Sequence, residues 1–226
     1  MKKVGSLLGD EEDMSRRKVL AAAAMNKMNK IWIRRDKISQ KRRINLYRAL
    51  VKSILLYNCG TWGATKAEEK KMDTFHRKQL RRILGIRYPT KITNGRLYQK
   101  TGETPISETM RRSRWKLLGH ILRREDKIPA NMAMALYYNQ QIRGTQGFRA
   151  ARRTTLPTTL NEDLQRTQTQ HLRDHTYCKQ LRLNTADDLE KLKVVAKDRK
   201  RWRWLVGRVT GAGRAELSVD NSAEDH

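Results

Sequence analysis

The sequence predicts an all-α fold, organised as a helical bundle with a C-terminal helical extension and a disordered tail. Three observations support this class. Apolar residues recur at helical spacing over most of the 226 residues. Helix-capping signals flank these segments, for example Thr65 followed three residues later by Glu68. The one strand-like run, residues 4–8, has no evident partner strand elsewhere in the chain.

The first elements are a short N-terminal segment and two amphipathic helices. Residues 1–13 contain the strand-like run and end in an acidic cluster, which suits the start of a following helix. A second helix is predicted from Ser39, a favourable N-cap, to about Tyr57, with its basic residues outside a wide apolar arc. The first helix, residues 15–34, lies between the N-terminal segment and this second helix. Its predicted inner face consists of Leu20, Ala24, Met28, Ile31 and Trp32.

The third helix has the strongest pattern in the chain. It is predicted to start at Thr65 and to end before Gly85, since glycine is favoured just after a helix. Its cations fall in two neighbouring rows opposite the apolar face, at about 100° per residue. These rows are Lys70, Arg77 and Arg81, and Lys71, Lys78 and Arg82.

Further helices are predicted at residues 93–100, 105–124, 129–140, 160–181 and 186–209. The helix beginning at Pro105 carries Arg112, Lys116 and Arg123 on one outer stripe. Residues 141–157 are rich in Gly, Arg and Thr and show no helical periodicity, which indicates a linker or a phosphate-contacting loop. The expected organisation is an N-terminal segment at 1–13, a bundle at 14–140, this linker at 141–157, the extension at 158–210 and the tail at 211–226.

The net charge of +27 and the pI near 10.6 indicate a polyanionic partner, because so much like charge repels itself and adds no stability to the fold. Nucleic acid is favoured over an anionic membrane surface.

No apolar stretch is long enough to span a membrane, so no membrane association is expected. Early acidic residues argue against a secretory signal, and two distant cysteines fit an intracellular setting, nuclear or cytoplasmic. The sequence indicates no oligomeric state.

No catalytic centre and no metal or other cofactor site is predicted. Thr185 and Asp188 have the spacing of a helix cap, which explains the adjacent aspartates without a bound metal. His171, His175 and Cys178 share one helical side, but without a CxxC pair their placement is interpreted as chance rather than as a zinc site. The two histidines near apolar helix faces, His76 and His120, are interpreted as core residues.

Basic runs without acidic residues indicate binding to phosphates. A merely solvated face usually mixes acids with its cations, whereas the runs 77–82 and 111–116 contain none. Near the C-terminus, Trp202 is expected in the core, while Trp204 either stacks on a base or closes the end of a packed helix. The predicted nucleic-acid-binding residues are Lys70, Arg77, Lys78, Arg81, Arg82, Arg112, Lys116, Arg123, Lys200 and Trp204.

A series of segments, taken in their order along the chain, resembles the C-terminal part of reverse transcriptases from non-LTR, LINE-type retrotransposons, especially the BovB-like group. Residues 4–9 (VGSLLG) resemble the primer-grip segment, except that Lys3 and Val4 stand where the family has an aromatic residue and Leu. The other matching segments are 47–51 (YRALV), 54–57 (ILLY), Trp62, 75–86 (FHRKQLRRILGI), 92–94 (ITN), Tyr98, 101–102 (TG), 105–109 (PISET), 115–123 (WKLLGHILR) and 198–206 (DRKRWRWLV).

The resemblance implies a thumb-like bundle that grips the backbone of a template–primer duplex. The aromatic-Ala-Asp-Asp strand that holds Mg²⁺ in the complete polymerase has no counterpart here, so the chain is not expected to polymerise alone. The expected partner is RNA, DNA or an RNA–DNA hybrid. Two alternatives stay open: a retroelement relic without function, and a stand-alone basic helical RNA- or DNA-binding protein.

Overall fold

The computed structural model describes residues 2–3, 6–7, 9–141, 154–169 and 181–211, and these residues confirm the all-α class. A two-residue hairpin, β1 (Lys2–Lys3) paired antiparallel with β2 (Ser6–Leu7), precedes the helices. Ser6 and Leu7 of the strand-like run therefore pair with residues of the same N-terminal segment. Its acidic end belongs to the first helix, α1 (Asp10–Lys27), which starts earlier than predicted and has all four acids in its first turn.

The chain forms two compact units, one of Met1–Cys59 with Ala64–Met110 and one of Gly60–Gly63 with Arg111–His226. The helices of the first unit after α1 are α2 (Asn29–Ile33), α3 (Gln40–Tyr47), α4 (Ser53–Leu55), α5 (Lys66–Leu84) and α6 (Asn94–Thr101). A π-helical turn, Arg48–Lys52, joins α3 to α4, and a 3₁₀ turn follows at Cys59–Thr61. The expected helix 39–57 is thus formed with one irregular turn.

The core of the first unit lies between α1, the α3–α4 segment, α5 and α6. One inner-face residue of α1 was predicted wrongly, because Leu20 is 39% exposed, while Trp32 of α2 is buried as expected. The buried side of α1 is rotated and includes an ion pair of Asp13 with Arg17 at 3.6 Å. The buried apolar residues of this unit include Met14, Ala21, Met25, Trp32, Ile44, Tyr47, Val51, Leu55, Met72, Leu80, Ile83, Leu97, Ile106 and Met110.

Within the second unit lie most of α7 (Ile106–Leu122), then α8 (Pro129–Gln141), α9 (Leu156–Thr169), α10 (Ala186–Lys197) and α11 (Arg199–Thr210). One hydrophobic cluster joins all five helices and includes Trp115, Leu118, Tyr138, Leu164, Leu192 and Trp202. α9 begins inside the expected linker, at Leu156. Most of that linker, and all of the expected tail after Gly211, lie outside the described residues.

Candidate nucleic-acid interface

α5 carries five of the predicted contacts and is fixed at both ends. Thr65 Oγ1 accepts the N–H of Glu68 at 3.2 Å, and the Glu68 carboxylate accepts the N–H of Thr65 at 2.7 Å, so the predicted capping box is confirmed. Gly85 adopts φ +75°, and the N–H of Ile86 donates to the Arg81 carbonyl at 2.9 Å. This is a Schellman motif, which ends the helix sharply.

Lys70 and Lys78 lie on the solvent side of α5, as predicted. The buried face of this helix holds Met72, Leu80 and Ile83, which turns the two lysines away from the core. Both lysines are exposed, and their ammonium groups make no hydrogen bond or ion pair with any residue in the described part of the chain. Their ammonium groups are available to phosphate oxygens without first breaking such a contact.

The three arginines of α5 are half-buried and bind neutral oxygen atoms. Arg77 donates to Thr74 Oγ1 at 3.0 Å, and Arg81 donates to Asn94 Oδ1 at 2.9 Å. Arg82 donates through its two terminal nitrogens to the side-chain oxygens of Asn26 and Asn29, at 2.8 and 2.9 Å. A neutral acceptor orients a guanidinium but does not cancel its charge, and each guanidinium has five N–H donors. These arginines therefore remain cationic and are held in fixed positions.

The stretch from Thr74 to Gly102 contains eight Lys and Arg residues and no Asp or Glu. It comprises the second half of α5, the connecting loop and α6, and it extends well beyond the predicted residues on α5. Four of its cations were missed by the sequence analysis, although the absence of acids over the whole stretch was a usable signal. All four are exposed, and they are Arg87, Lys91, Arg96 and Lys100.

The first carboxylate after this stretch, that of Glu103, is buried and forms ion pairs with two cations. Lys52 Nζ donates to it at 2.6 Å, and Arg48 Nε donates to its other oxygen. Burial acts to raise the pKa of Glu103, but the hydrogen bonds from Lys52 and Arg48 outweigh it and hold the pKa below its ordinary value. Glu103 therefore stays ionised inside the unit and adds no exposed negative charge to the basic surface.

In the second unit, α7 directs only part of its basic run outward. Arg112 and Lys116 are exposed, as predicted. Arg111 and Arg114 are 6% and 1% exposed and pair with Asp163 of α9, at 3.1 and 3.4 Å. Of the four cations in the run 111–116, two therefore lie on the surface and two belong to an internal ion-pair network.

Arg123 and Lys200 lie near the junction of α7 with α11. Arg123 donates to the Ala196 carbonyl at 3.2 Å, and burial together with the nearby charge of Arg199 lowers its pKa. Four of the first five residues of α11 are exposed cations, although a helix N-terminus disfavours positive charge. They are Arg199, Lys200, Arg201 and Arg203. A bound anion would relieve this repulsion.

The two tryptophans of α11 differ in burial. Trp202 is in the core as predicted, and its ring lies 5.8 Å from that of Trp115. Trp204 is 37% exposed, and the guanidinium of Arg208 lies over its ring at 5.3 Å from the centroid. One face of Trp204 is thus partly occupied, and stacking on a base stays a prediction.

The residues considered for catalysis or metal binding do not form a site in the described part of the chain. Thr185 and Asp188 form the predicted capping box, with Asp188 N–H donating to Thr185 Oγ1 at 3.2 Å. No group of three or more His, Cys, Asp or Glu side chains that could hold a metal ion occurs among the described residues. His171, His175 and Cys178 lie outside them. His76 is buried as predicted, whereas His120 is exposed, so its core placement was wrong.

No protein-family model matches the chain, and no curated protein or solved structure shows significant similarity to it. No helix in the described ranges is long and apolar enough to cross a membrane. A functional assignment must therefore come from the charge distribution of the two units and from the resemblance noted in the sequence.

Proposed function

We propose that the chain binds the sugar–phosphate backbone of nucleic acid, chiefly through the acid-free surface of α5, the following loop and α6. The observation that carries this proposal is the stretch 74–102, which has eight cations and no carboxylate. Five of those cations are exposed: Lys78, Arg87, Lys91, Arg96 and Lys100. Backbone contacts of this kind fix the position of a duplex without reading its sequence.

The excess of positive charge around this stretch favours a nucleic-acid partner over the alternative that these cations only face water. Between Lys27 and Lys100 the chain holds 21 Lys and Arg residues and four Asp and Glu. Such an excess costs free energy through self-repulsion in the folded unit. Phosphates offset that cost, and their release of condensed counterions supplies favourable entropy.

The resemblance to LINE-type reverse transcriptases makes the thumb of such a polymerase our specific proposal, acting in the nucleus or cytoplasm. A thumb grips the template–primer duplex, and the α5 segment 75–86 belongs to the resembling series. The run Ala186–Asp188 lies in the first turn of a helix capped by Thr185, and not on a strand, so it does not resemble the catalytic strand. Mg²⁺ would be a cofactor of the complete polymerase only. Purified protein given template, primer, nucleotides and Mg²⁺ should show no primer extension.

Salt dependence of binding tests the proposal directly. Two blunt RNA–DNA hybrids of unrelated sequence would be titrated with the full chain, by fluorescence anisotropy, at about 50 to about 200 mM KCl. With about six phosphate contacts, the affinity should fall about a thousandfold over this range, equally for both sequences. An affinity that does not change with salt would contradict the proposal. Absence of binding at low salt would favour the relic alternative.

A further inference from the structure

Tyr88 is the most exposed of the large hydrophobic and aromatic side chains in the described part of the chain, at 90%. It lies in the loop between α5 and α6, where the N–H of Thr90 donates to the Arg87 carbonyl at 2.9 Å. This bond closes a four-residue turn and places Tyr88 at the tip. An aromatic ring left almost wholly in water gains none of the free energy that burial would provide.

The loop that presents this ring is short and held at both ends. On the α5 side, the Schellman motif at Gly85 sets the direction of the chain. On the α6 side, Arg81 donates to the Ile92 carbonyl at 3.4 Å and to Asn94 Oδ1 at 2.9 Å. The position of the tip relative to α5 is therefore set by hydrogen bonds within the same unit, so the ring is presented from a fixed base.

The neighbours of Tyr88 are cationic. Arg87 begins the turn and Lys91 follows it; both are exposed, and their side chains make no hydrogen bond or ion pair with any described residue. Two other exposed aromatic rings differ in this respect, because each already has a cation over its face. The Arg17 guanidinium lies 4.4 Å from the ring centroid of Tyr57, and that of Arg208 lies 5.3 Å from the centroid of Trp204. No such contact occupies Tyr88 within the described residues.

We infer that Tyr88 stacks on an unpaired base next to a duplex end, while Arg87 and Lys91 hold the adjoining phosphates. An exposed aromatic ring beside cations is the arrangement by which proteins bind single-stranded nucleic acid without sequence preference. The inference rests on the proposed backbone binding and adds a specific preference: the protein should bind a single-strand–duplex junction more tightly than a blunt duplex.

The test compares a blunt RNA–DNA hybrid with the same hybrid extended by about three unpaired nucleotides, one of them 2-aminopurine. Wild-type protein should bind the extended hybrid about tenfold more tightly and quench the 2-aminopurine fluorescence. Tyr88→Ala should remove both effects and leave the affinity for the blunt hybrid unchanged. Tyr88→Phe, which keeps the ring, should retain both effects. Tyr57→Ala removes another exposed ring, one that already has a cation over its face; it is the matched control and should also retain both effects.

Several outcomes would overturn the inference. One is equal binding of both hybrids by wild type, and another is a preference that survives Tyr88→Ala. A third is an equal loss of affinity for both hybrids in that variant. In these cases, salt-dependent binding of the blunt hybrid would still support the proposed function. If wild type binds neither hybrid, both proposals fail together. Because Tyr88 is exposed, the melting temperature of Tyr88→Ala should match wild type, which separates these outcomes from misfolding.

Discussion

At the scale of the residue, arginine has two separate roles in this chain, and burial distinguishes them. Arg111 and Arg114 lie inside the second unit and share the carboxylate of Asp163. Arg43 is buried in the first unit and donates to the carbonyl of Ile83, which satisfies an acceptor at the end of α5. Arginines of the other kind, which are exposed or half-buried and bind no carboxylate, are the ones that can contact phosphate.

Sequence reasoning selected the outward Arg112 but could not identify the partner of the buried arginines. A helical wheel records the polarity of each position and not the residues that it contacts. Asp163 is 52 residues from Arg111, so the pairing depends on tertiary packing that periodicity does not encode. The predicted outer stripe was Arg112, Lys116 and Arg123, and the run 111–116 was noted only for its lack of acidic residues. The α5 lysines were easier to place, since Met72, Leu80 and Ile83 recur at helical spacing on the opposite, buried side of the helix.

His76 belongs to a second buried network, in the first unit. Its Nδ1 atom lies 2.6 Å from the Tyr47 hydroxyl oxygen, and its Nε2 atom lies 3.7 Å from the carboxylate of Glu103. Burial lowers the pKa of His76 to about 4, with the charges of Lys52 and Arg77 acting in the same direction and that of Glu103 opposing them. The imidazole is therefore neutral at pH 7 and charges only when acid overcomes this environment.

This pKa predicts a loss of stability in acid. Between pH 6.5, the ordinary pKa of histidine, and about pH 4, the unfolded chain binds a proton at His76 that the folded chain does not bind. The free energy of unfolding should therefore fall by up to about 3 kcal/mol as the pH drops through this range. His76→Gln should remove that part of the pH dependence in urea unfolding followed by circular dichroism. His120→Gln changes an exposed histidine and is the control.

An unchanged pH dependence in His76→Gln would show that the buried imidazole does not titrate as described. The lowered pKa of Glu103 adds to the acid sensitivity, since its stabilising effect is lost as the pH falls through its folded pKa. Because His76 is itself one of the groups that lower the pKa of Glu103, the two variants are compared at pH values above about 5, where the Glu103 contribution is constant.

At the scale of the element, helix ends were predicted better than helix faces. The caps at Thr65 and Thr185 and the glycine after α5 were found where expected, because each depends on a few adjacent residues. The buried face of α1 was predicted wrongly in part, since four consecutive alanines give little directional signal. The exposed position of His120 was missed for a related reason: it borders the apolar face of α7 without belonging to it.

One helix contact gives a sharp prediction about packing in the second unit. A Cβ atom on Gly119 of α7 would lie 2.1 Å from Trp202 Nε1 of α11, so the two helices approach closely at this glycine. Gly119→Ala should lower the free energy of unfolding by about 2 kcal/mol, although alanine alone favours a helix by about 1 kcal/mol over glycine. Thermal unfolding of the full chain measures this change.

Gly207 of α11 provides the matched control for this substitution. It also lies inside a helix of the second unit, but a Cβ atom there would meet no other atom within 4 Å. Gly207→Ala should therefore raise the stability by up to about 1 kcal/mol. Equal effects of the two substitutions would contradict the close packing at Gly119.

At the scale of the whole molecule, the net charge of +27 is the property that most needs explanation. The sequence established this charge and the helical class, but it did not show which cations reach the surface. In the first unit the structure adds the loop and α6 to the predicted surface of α5 and removes no predicted lysine from it. In the second unit it adds the exposed cations at the start of α11.

The most direct test of nucleic-acid binding by the α5–α6 surface is a comparison of salt dependence between two triple variants of equal net charge. The first changes Lys78, Arg87 and Lys91 to Gln, all exposed on that surface. The second is the control and changes three exposed cations elsewhere, Lys127, Arg182 and Lys191, to Gln.

The dissociation constant of a blunt RNA–DNA hybrid would be measured against KCl concentration for wild type and both variants. For the first variant we expect weaker binding and a logarithmic salt slope reduced by about 2 to 3, one phosphate contact for each cation removed. The control should keep nearly the wild-type slope. Equal slopes for the two variants would mean that net charge alone governs binding, and would contradict an interface on α5 and α6.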